Sequence, residues 1–192
     1  MIIDSDMTVA EALRQNPHSE APESIVKNLR VLQMYYIGFD MQLHRGQIVV
    51  HKKAVAPVRT FFSTAIALTF PIKSVIPVAA PEFLWDDEIS CNANNSSGYN
   101  YRTIAGTTRL SRHASGLAFD INPLQNVYIR YDADGNEIAR LPAHGRYDPD
   151  APGTLHADHL LVILMKQYGW TWGGDWTPES GRVDYQHFEK VL

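Results

Sequence analysis

Apolar side chains recur along the chain at two different spacings, which together predict a mixture of helices and strands. The clearest helical pattern covers residues 54–68, where large apolar residues return every three or four positions before Pro71 closes the segment. A second helix is predicted over residues 155–168 and ends at Gly169. These two segments are the predicted helical layer of the fold.

The remaining segments predict strands, hairpins and short helices. One hairpin joins residues 31–36 to residues 47–51 around a turn at 40–42, and a second covers residues 127–141 with Asp134-Gly135-Asn136 at its tip. The weaker patterns predict a short helix at 9–15, an ambiguous stretch favouring a helical face at 23–34, a strand at 75–78, a helix at 82–89, a loop at 92–100 and a strand at 117–121.

This order of elements predicts an α+β fold, in which helices pack against a small antiparallel sheet that carries the functional site. Residues 1–30 are interpreted as an N-terminal extension and residues 31–192 as one domain. The composition agrees with a compact enzyme, because 45% of the 192 residues are hydrophobic and 20% are charged.

Charge and cysteine content narrow the functional class only slightly. The net charge of −4 and the absence of a Lys/Arg run exclude the electrostatic footprint of a nucleic-acid-binding protein. Cys91 is the only cysteine, so no intramolecular disulfide can form, and a neutral thiol is favoured over a nucleophile. No apolar run approaches the roughly 20 residues of a membrane span. The N-terminus lacks the basic start and apolar core of a secretory signal.

His113 and Asp120 form the first half of a candidate metal site. Seven positions would separate the two side chains by about 10 Å along a helix axis and by more than about 20 Å along a strand. Neither spacing places both donors within about 2.0–2.2 Å of one metal ion, so the chain must bend between them. Gly116 is the predicted pivot, because glycine tolerates unusual backbone angles and close approaches. A solvated loop with an ordinary His and Asp is the alternative interpretation.

Asp184 and His187 form the second half. Two imidazoles and one carboxylate, from His113, Asp120 and His187, would fill three corners of a tetrahedron and leave the fourth for water, which is typical of catalytic zinc sites. A turn leading into a strand at His187 would let Asp184 reach that water as a general base. The alternative is that Asp184 caps a turn and His187 packs under a tryptophan.

The other histidines are interpreted as structural or exposed. His156 and His159 have helical spacing and are expected at the polar start of the last long helix rather than in a second metal site. His44 and His51 lie in the first predicted hairpin, where structural hydrogen bonds are expected.

The chain resembles the zinc D-alanyl-D-alanine carboxypeptidases and L-alanyl-D-glutamate endopeptidases of bacterial cell walls, which share the hedgehog/DD-peptidase fold. The resemblance rests on a Ser-x-His-x-x-Gly-x-Ala-x-Asp pattern, a Trp-Gly-Gly-x-Trp pattern and an Asp-x-x-His-Phe-Glu pattern. These patterns are filled by Ser111, His113, Gly116, Ala118, Asp120, Trp172, Gly173, Gly174, Trp176, Asp184, His187, Phe188 and Glu189. Upstream segments at residues 36–40, 46–51 and 94–102 extend the resemblance to about residue 30.

The resemblance implies a zinc peptidase domain over residues 31–192, with one Zn²⁺ per chain bound by His113, Asp120 and His187. It implies that Asp184 is the general base, that Arg102 binds a substrate carboxylate or steadies the oxyanion, and that Ser111 contacts the substrate backbone.

The implied partners are peptidoglycan stem peptides, acted on by a monomer without a membrane span. A D-Ala-D-Ala carboxypeptidase is favoured. The alternatives are an L-Ala-D-Glu endopeptidase and, from a different class, a non-catalytic zinc-containing module that binds the cell wall. The expected location is extracytoplasmic if a signal was removed, and otherwise cytoplasmic with phage-type release.

Overall fold

The computed structural model describes residues 1–104 and 106–192, and these residues form eleven strands and five α-helices. The strands are β1 Ile2–Ile3, β2 Leu29–Ile37, β3 Leu43–His51, β4 Ser74–Val75, β5 Asn95–Ser96, β6 Ala118–Asp120, β7 Tyr128–Tyr131, β8 Glu137–Leu141, β9 Thr171–Trp172, β10 Arg182–Asp184 and β11 His187–Glu189. The helices are α1 Val9–Ala12, α2 Glu23–Val26, α3 Val55–Ala67, α4 Asp87–Asn92 and α5 Leu160–Gln167. The predicted α+β class is therefore confirmed, with small sheets and few helices.

The longest pairing is the antiparallel hairpin of β2 and β3, in which Leu29 lies opposite His51 and Ile37 opposite Leu43. Buried side chains alternate along β2 at Leu32, Met34 and Tyr36, so one face of this part of the hairpin enters the core and the other is exposed. Helix α3 packs against this hairpin through Val58, Phe61 and Phe62, all of which are buried. This hairpin and helix form the scaffold on which the smaller sheets rest.

Two three-stranded sheets stand next to this scaffold. One has the order β6-β11-β9 and the other the order β10-β7-β8, and all pairs within them are antiparallel. Strands β10 and β11 are separated by only Tyr185 and Gln186, so the chain passes directly from one sheet to the other. Residues on these two short strands are thereby brought to one place.

The strongest sequence patterns are confirmed. The first hairpin, the helix at 54–68 (observed as α3), the strand at 117–121 (observed as β6) and the hairpin at 127–141 (observed as β7 and β8) all form. Helix α5 begins at residue 160 instead of 155, and His159 is its N-cap, accepting a hydrogen bond from the backbone N–H of Leu161. The helical stretch at 9–15 is limited to α1, and the strand at 75–78 to β4.

Two sequence predictions are corrected. Residues 29–34 are strand, although apolar spacing favoured a helical face, because nine-residue pairing with β3 outweighs a weak local preference. Residues 82–86 are not helical, since Leu84 and Trp85 have left-handed backbone angles. Helix α4 starts after them, at Asp87, and Asp86 is its N-cap, whose side chain accepts from the N–H of Ile89. The loop predicted at 92–100 contains the two-residue strand β5.

The N-terminal segment is attached to the hairpin by a polar cluster around the buried His44 ring. Strand β1 pairs in parallel with β3, and the His44 ring lies between two carboxylates, with Nδ1 2.8 Å from Asp4 and Nε2 3.0 Å from Asp40. The Tyr36 hydroxyl donates to Asp4 and its ring stacks on His44. His44 thus has the structural role that the sequence predicted. The division of the chain at residue 30 stays a prediction.

Within the described residues, none of the helices combines the length and apolarity that crossing a membrane requires.

The His44 cluster makes stability depend on pH. Burial of the ring favours its neutral form, but the hydrogen bonds and charges of Asp4 and Asp40 outweigh burial and raise the pKa of His44. Because the folded chain holds this proton more tightly than the unfolded chain, the stabilisation is complete below about pH 6.5 and is lost as pH rises through the raised value. We expect the difference in unfolding free energy between wild type and His44→Gln, measured in urea at pH 6 and pH 9, to shrink at the higher pH. The matched variant at exposed His18, His18→Gln, should show no such trend; a constant His44 difference would contradict the role of this proton.

Candidate metal centre and active-site cavity

A cross-strand pair places the first two functional side chains next to each other. In the β6–β11 pairing, Asp120 lies directly opposite His187, and Phe119 lies opposite Phe188. Side chains alternate across a strand, so both phenylalanines enter the core while Asp120 and His187 face the other way together. Phe119 and Phe188 are fully buried and both contact Phe61 of α3, with ring centroids 5.3 and 5.6 Å away.

His113 reaches the same point from a short 3-10 turn, Arg112–Ser115. Ser111 caps this turn by accepting from the N–H of His113, and Gly116 ends it with φ +69°. A Cβ on Gly116 would lie 2.6 Å from the backbone nitrogen of His51. Gly116 is therefore the bend that the sequence predicted, for two reasons: a left-handed angle and a close approach to β3.

The three candidate ligands converge in a buried cluster. Their donor atoms all lie within 4.8 Å of one another. His113 Nε2 is 3.2 Å from Asp120 Oδ2, His187 Nδ1 is 2.9 Å from Asp120 Oδ1, and the two nitrogens are 3.1 Å apart. Ligands at zinc distances in a tetrahedron would be about 3.3 Å apart, so only small outward shifts would admit an ion.

The outer hydrogen bonds of the histidines fit a metal centre. His113 Nδ1 lies 2.6 Å from the carbonyl of Gly98, and His187 Nε2 lies 3.2 Å from Glu189. When each ring is neutral and its outer nitrogen donates to that oxygen, its inner nitrogen presents a lone pair to the cluster. Two lone pairs and a carboxylate facing one another in a buried space need a cation between them. The donor set therefore fits a metal ion.

The electrostatics of the cluster lead to the same conclusion. Burial alone would raise the pKa of the Asp120 carboxyl, but the charges and hydrogen bonds of His113 and His187 hold it well below its usual range. Burial alone would lower the pKa of His187, whereas Asp120 and Glu189 raise it to about 10. The cluster thus binds positive charge strongly at neutral pH.

Asp184 lies at the end of β10, three residues before His187. The residue is partly exposed, yet its Oδ1 is inaccessible and has no hydrogen-bond partner among the described residues. Burial of the carboxyl raises the pKa of Asp184 to about 7. A buried carboxyl with a free oxygen and a pKa in this range is suited to transfer protons.

All of the predicted site residues line one cavity of about 480 Å³. Arg102 and Ser111 lie in its wall together with Asp184 and the three candidate ligands. The Ser111 hydroxyl accepts from the N–H of His113 and so caps the turn that carries this histidine. A capping role of this kind is common for serine and is the alternative to contact with the substrate backbone. The structure therefore brings together all six residues that the sequence singled out.

Sequence reasoning missed the residues that support this set. Asp87, the first residue of α4, forms an ion pair of 2.7 Å with Arg102 and accepts from Asn100 at 3.3 Å. Glu189 was a motif position without a role, but its place two residues after His187 on a strand puts both side chains on one face. Asp87 carried no comparable local signal, because its partner is fifteen positions away in the sequence.

Two other buried residues, Trp172 and Cys91, have structural roles. Trp172 is buried beside Phe188 in the sheet, and its indole N–H donates to the carbonyl of Tyr185 at 2.8 Å. It packs behind the candidate ligands. Cys91 is buried, and burial raises the pKa of its thiol well above the ordinary value, so it is not a nucleophile.

A comparison with protein families found one similarity, which covers the C-terminal part of the chain. Residues 105–190 match a family model described as D-alanyl-D-alanine carboxypeptidase. The family resemblance predicted from the motifs is confirmed over this range, which contains His113, Asp120, Asp184 and His187. Neither a search of curated proteins nor a search of solved structures found a significant match. The family match supports a peptidase, and Arg102 lies just before the matched range.

The bend at Gly116 can be tested by adding one methyl group. Gly116→Ala should lower the free energy of unfolding by about 1–3 kcal/mol and reduce metal content, because a left-handed angle and a contact with His51 are both strained. Gly135→Ala is the matched control, since Gly135 has φ +81° with open space around its Cβ position. Chemical denaturation and elemental analysis give the two readouts. Equal stability losses and full metal content in both variants would show that the close approach does not matter.

Metal content tests the candidate ligands directly. The purified protein should bind one zinc ion per chain, and His113→Ala or His187→Ala should each remove most of it, because two remaining protein ligands make a poor site. His144→Ala is a suitable control, since this histidine is exposed and does not line the cavity. Elemental analysis of the dialysed proteins provides the measurement, and full zinc content in both ligand variants would exclude this ligand set.

Proposed function

We propose that this protein is a zinc-dependent peptidase that hydrolyses peptide bonds in peptidoglycan stem peptides, with D-Ala-D-Ala carboxypeptidase as the favoured type. The observation that carries the proposal is the shared cavity. It joins a buried His-Asp-His cluster that fits a cation to Asp184, a buried carboxyl with one free oxygen. The family match points to the same activity.

His113, Asp120 and His187 would hold the metal ion. Zinc, when bound there, would polarise the scissile carbonyl and acidify a water molecule. Asp184 accepts the proton of the attacking water and transfers it to the leaving amine, which is the double role of a general acid–base group. Its buried position sets a pKa close to neutrality in the metal-free site. The charge of a nearby cation favours the carboxylate form, in which the group can act as a base.

Arg102 supplies the group that recognises a substrate carboxylate. Its Nη2 is held by Asp87, while its Nε is buried and has no partner among the described residues. A carboxylate that enters the cavity would accept charge-assisted hydrogen bonds from the Arg102 guanidinium, whose orientation Asp87 already fixes. A D-Ala-D-Ala terminus and the D-Glu of an L-Ala-D-Glu bond both provide such a carboxylate.

We further propose that the protein acts outside the cytoplasmic membrane, because peptidoglycan lies there. Export by a removed signal and phage-type release from the cytoplasm are both compatible with this location. A non-catalytic cell-wall-binding module is the contrasting hypothesis, but such a module has no need for the free carboxyl of Asp184.

The role of Asp184 can be separated from metal binding. Asp184→Ala should retain zinc and lose activity by about 10²-fold or more, the usual scale of general acid–base catalysis. Asp134→Ala, at the exposed tip of the second hairpin, is the matched control and should keep both. Near-native turnover of the zinc-loaded Asp184 variant would make this residue structural.

The scissile bond and the role of Arg102 are tested with a pentapeptide stem analysed by mass spectrometry. Release of D-Ala supports the carboxypeptidase, and a split after L-Ala supports the endopeptidase. Arg102→Ala should weaken the reaction, and Arg102→Lys should restore it only partly, because an ammonium cannot reproduce the planar fork. An intact peptide in the presence of zinc would count against both peptidase types.

A further inference from the structure

The active-site cavity is lined by four carboxylates and by four arginines. The arginines are Arg102, Arg109, Arg112 and Arg182. Among the described residues, Arg102 is the one of these four that has a carboxylate within 4.0 Å, through Asp87. The other three line the cavity and have no carboxylate within 4.0 Å among the described residues.

The carboxylates of the cavity are already engaged elsewhere. Asp87 pairs with Arg102, Asp120 contacts both candidate histidine ligands, and Glu189 contacts the outer nitrogen of His187. Asp184 is the proposed proton carrier. Three of the four cavity carboxylates are thus engaged within the protein, whereas Arg109, Arg112 and Arg182 lie in the cavity wall, where they can attract anionic ligands.

Arg182 is the best placed of the three arginines. It lies two residues before Asp184 on β10, so the two side chains point to the same face of the strand. Its guanidinium lies over the ring of Trp176, 4.6 Å from the centroid, and the Trp176 ring is 5.6 Å from that of His187. A cation–π contact thus holds Arg182 in a defined position beside the metal centre.

Arg109 and Arg112 differ from Arg182 in their surroundings. Both are exposed, whereas Arg182 is half-buried against Trp176. An exposed arginine contributes mainly to the long-range field, which salt screens. A half-buried, stacked arginine loses less side-chain entropy when it binds a ligand and is screened less.

We propose that Arg182, stacked on Trp176, binds a second substrate carboxylate, separate from the one bound by Arg102. The inference rests on the proposed function and specifies its substrate class: stem peptides that carry internal carboxylates in addition to the C-terminal one. Amidation of those internal carboxylates would therefore reduce recognition.

The test uses two synthetic pentapeptides that differ only in their internal carboxylates. The parent is L-Ala-γ-D-Glu-meso-diaminopimelate-D-Ala-D-Ala, and the analogue carries carboxamides in place of the internal carboxylates while keeping its C-terminus. The ratio of kcat/KM for parent over analogue should be about tenfold or more in the zinc-loaded wild type, the scale of a hydrogen bond to a charged group. Arg182→Gln should bring this ratio close to one, and Arg182→Lys should restore part of it.

Arg59→Gln is the matched control. Arg59 is exposed on α3, so this substitution removes the same charge at a position outside the cavity lining. Its ratio should equal that of wild type. A ratio near one in wild type, or an Arg182→Gln variant that keeps the wild-type ratio, would overturn the proposal. Zinc content and the unfolding midpoint of each variant establish that the fold is retained.

Binding separates this inference from the proposed reaction. Calorimetry with the zinc-loaded Asp184→Asn variant measures the affinity of both peptides without turnover. Tighter binding of the parent that disappears in Arg182→Gln/Asp184→Asn supports the second carboxylate site, even if neither peptide is hydrolysed by wild type and the proposed reaction fails. If wild type hydrolyses both peptides and the Asp184→Asn variant binds them with equal affinity, the proposed reaction stands and the second carboxylate site is overturned. If neither peptide binds, the second carboxylate site is also overturned.

Discussion

The structure depends on one cross-strand pair of aromatic side chains, Phe119 and Phe188. Their rings stack with centroids 5.1 Å apart and both contact Phe61 of α3. Burying a phenylalanine stabilises a fold by about 1.5–3 kcal/mol, which decides the register of strands that are only three residues long. A shift of one residue would reverse both faces, removing Asp120 and His187 from the cavity and placing charged groups in the core. Hydrophobic packing therefore positions the polar chemistry.

The site itself opposes folding in the absence of a cation. Three acceptor groups face one another at about 3 Å, and a further carboxyl, Asp184, is desolvated beside them. Such an arrangement is stable only because the core behind it is well packed and because positive charge, a proton or a metal ion, occupies the space between the acceptors. The clustered acceptor groups and the desolvated Asp184 carboxyl, which suit the centre to metal binding and proton transfer, lower the stability of the fold locally. The aromatic core offsets this loss.

Local patterns predicted a large part of this arrangement. The first hairpin, α3 and the bend at Gly116 each depend on short-range spacing, on apolar periodicity or on the unique backbone freedom of glycine, and all three are observed. The sequence failed where distant contacts outweigh local preference. Residues 29–34 pair with β3 despite helical spacing, and residues 82–86 turn through left-handed angles. Asp87 was missed because only the folded chain brings it to Arg102.

The outer edge of β3 has a consequence for the assembly of the whole chain. Strand β1 pairs with it at His44 and Arg45, the N–H of Tyr99 donates to the carbonyl of Val49, and the N–H of His51 donates to the carbonyl of Gly116. An open strand edge of nine residues would be a template for pairing with other molecules. Here the N-terminal segment and the loops that carry the site cover it in succession. Loss of the N-terminal segment or of these loops would expose the backbone N–H and C=O groups of β3 to pairing with other molecules. Solubility and activity therefore depend on a shared set of backbone hydrogen bonds.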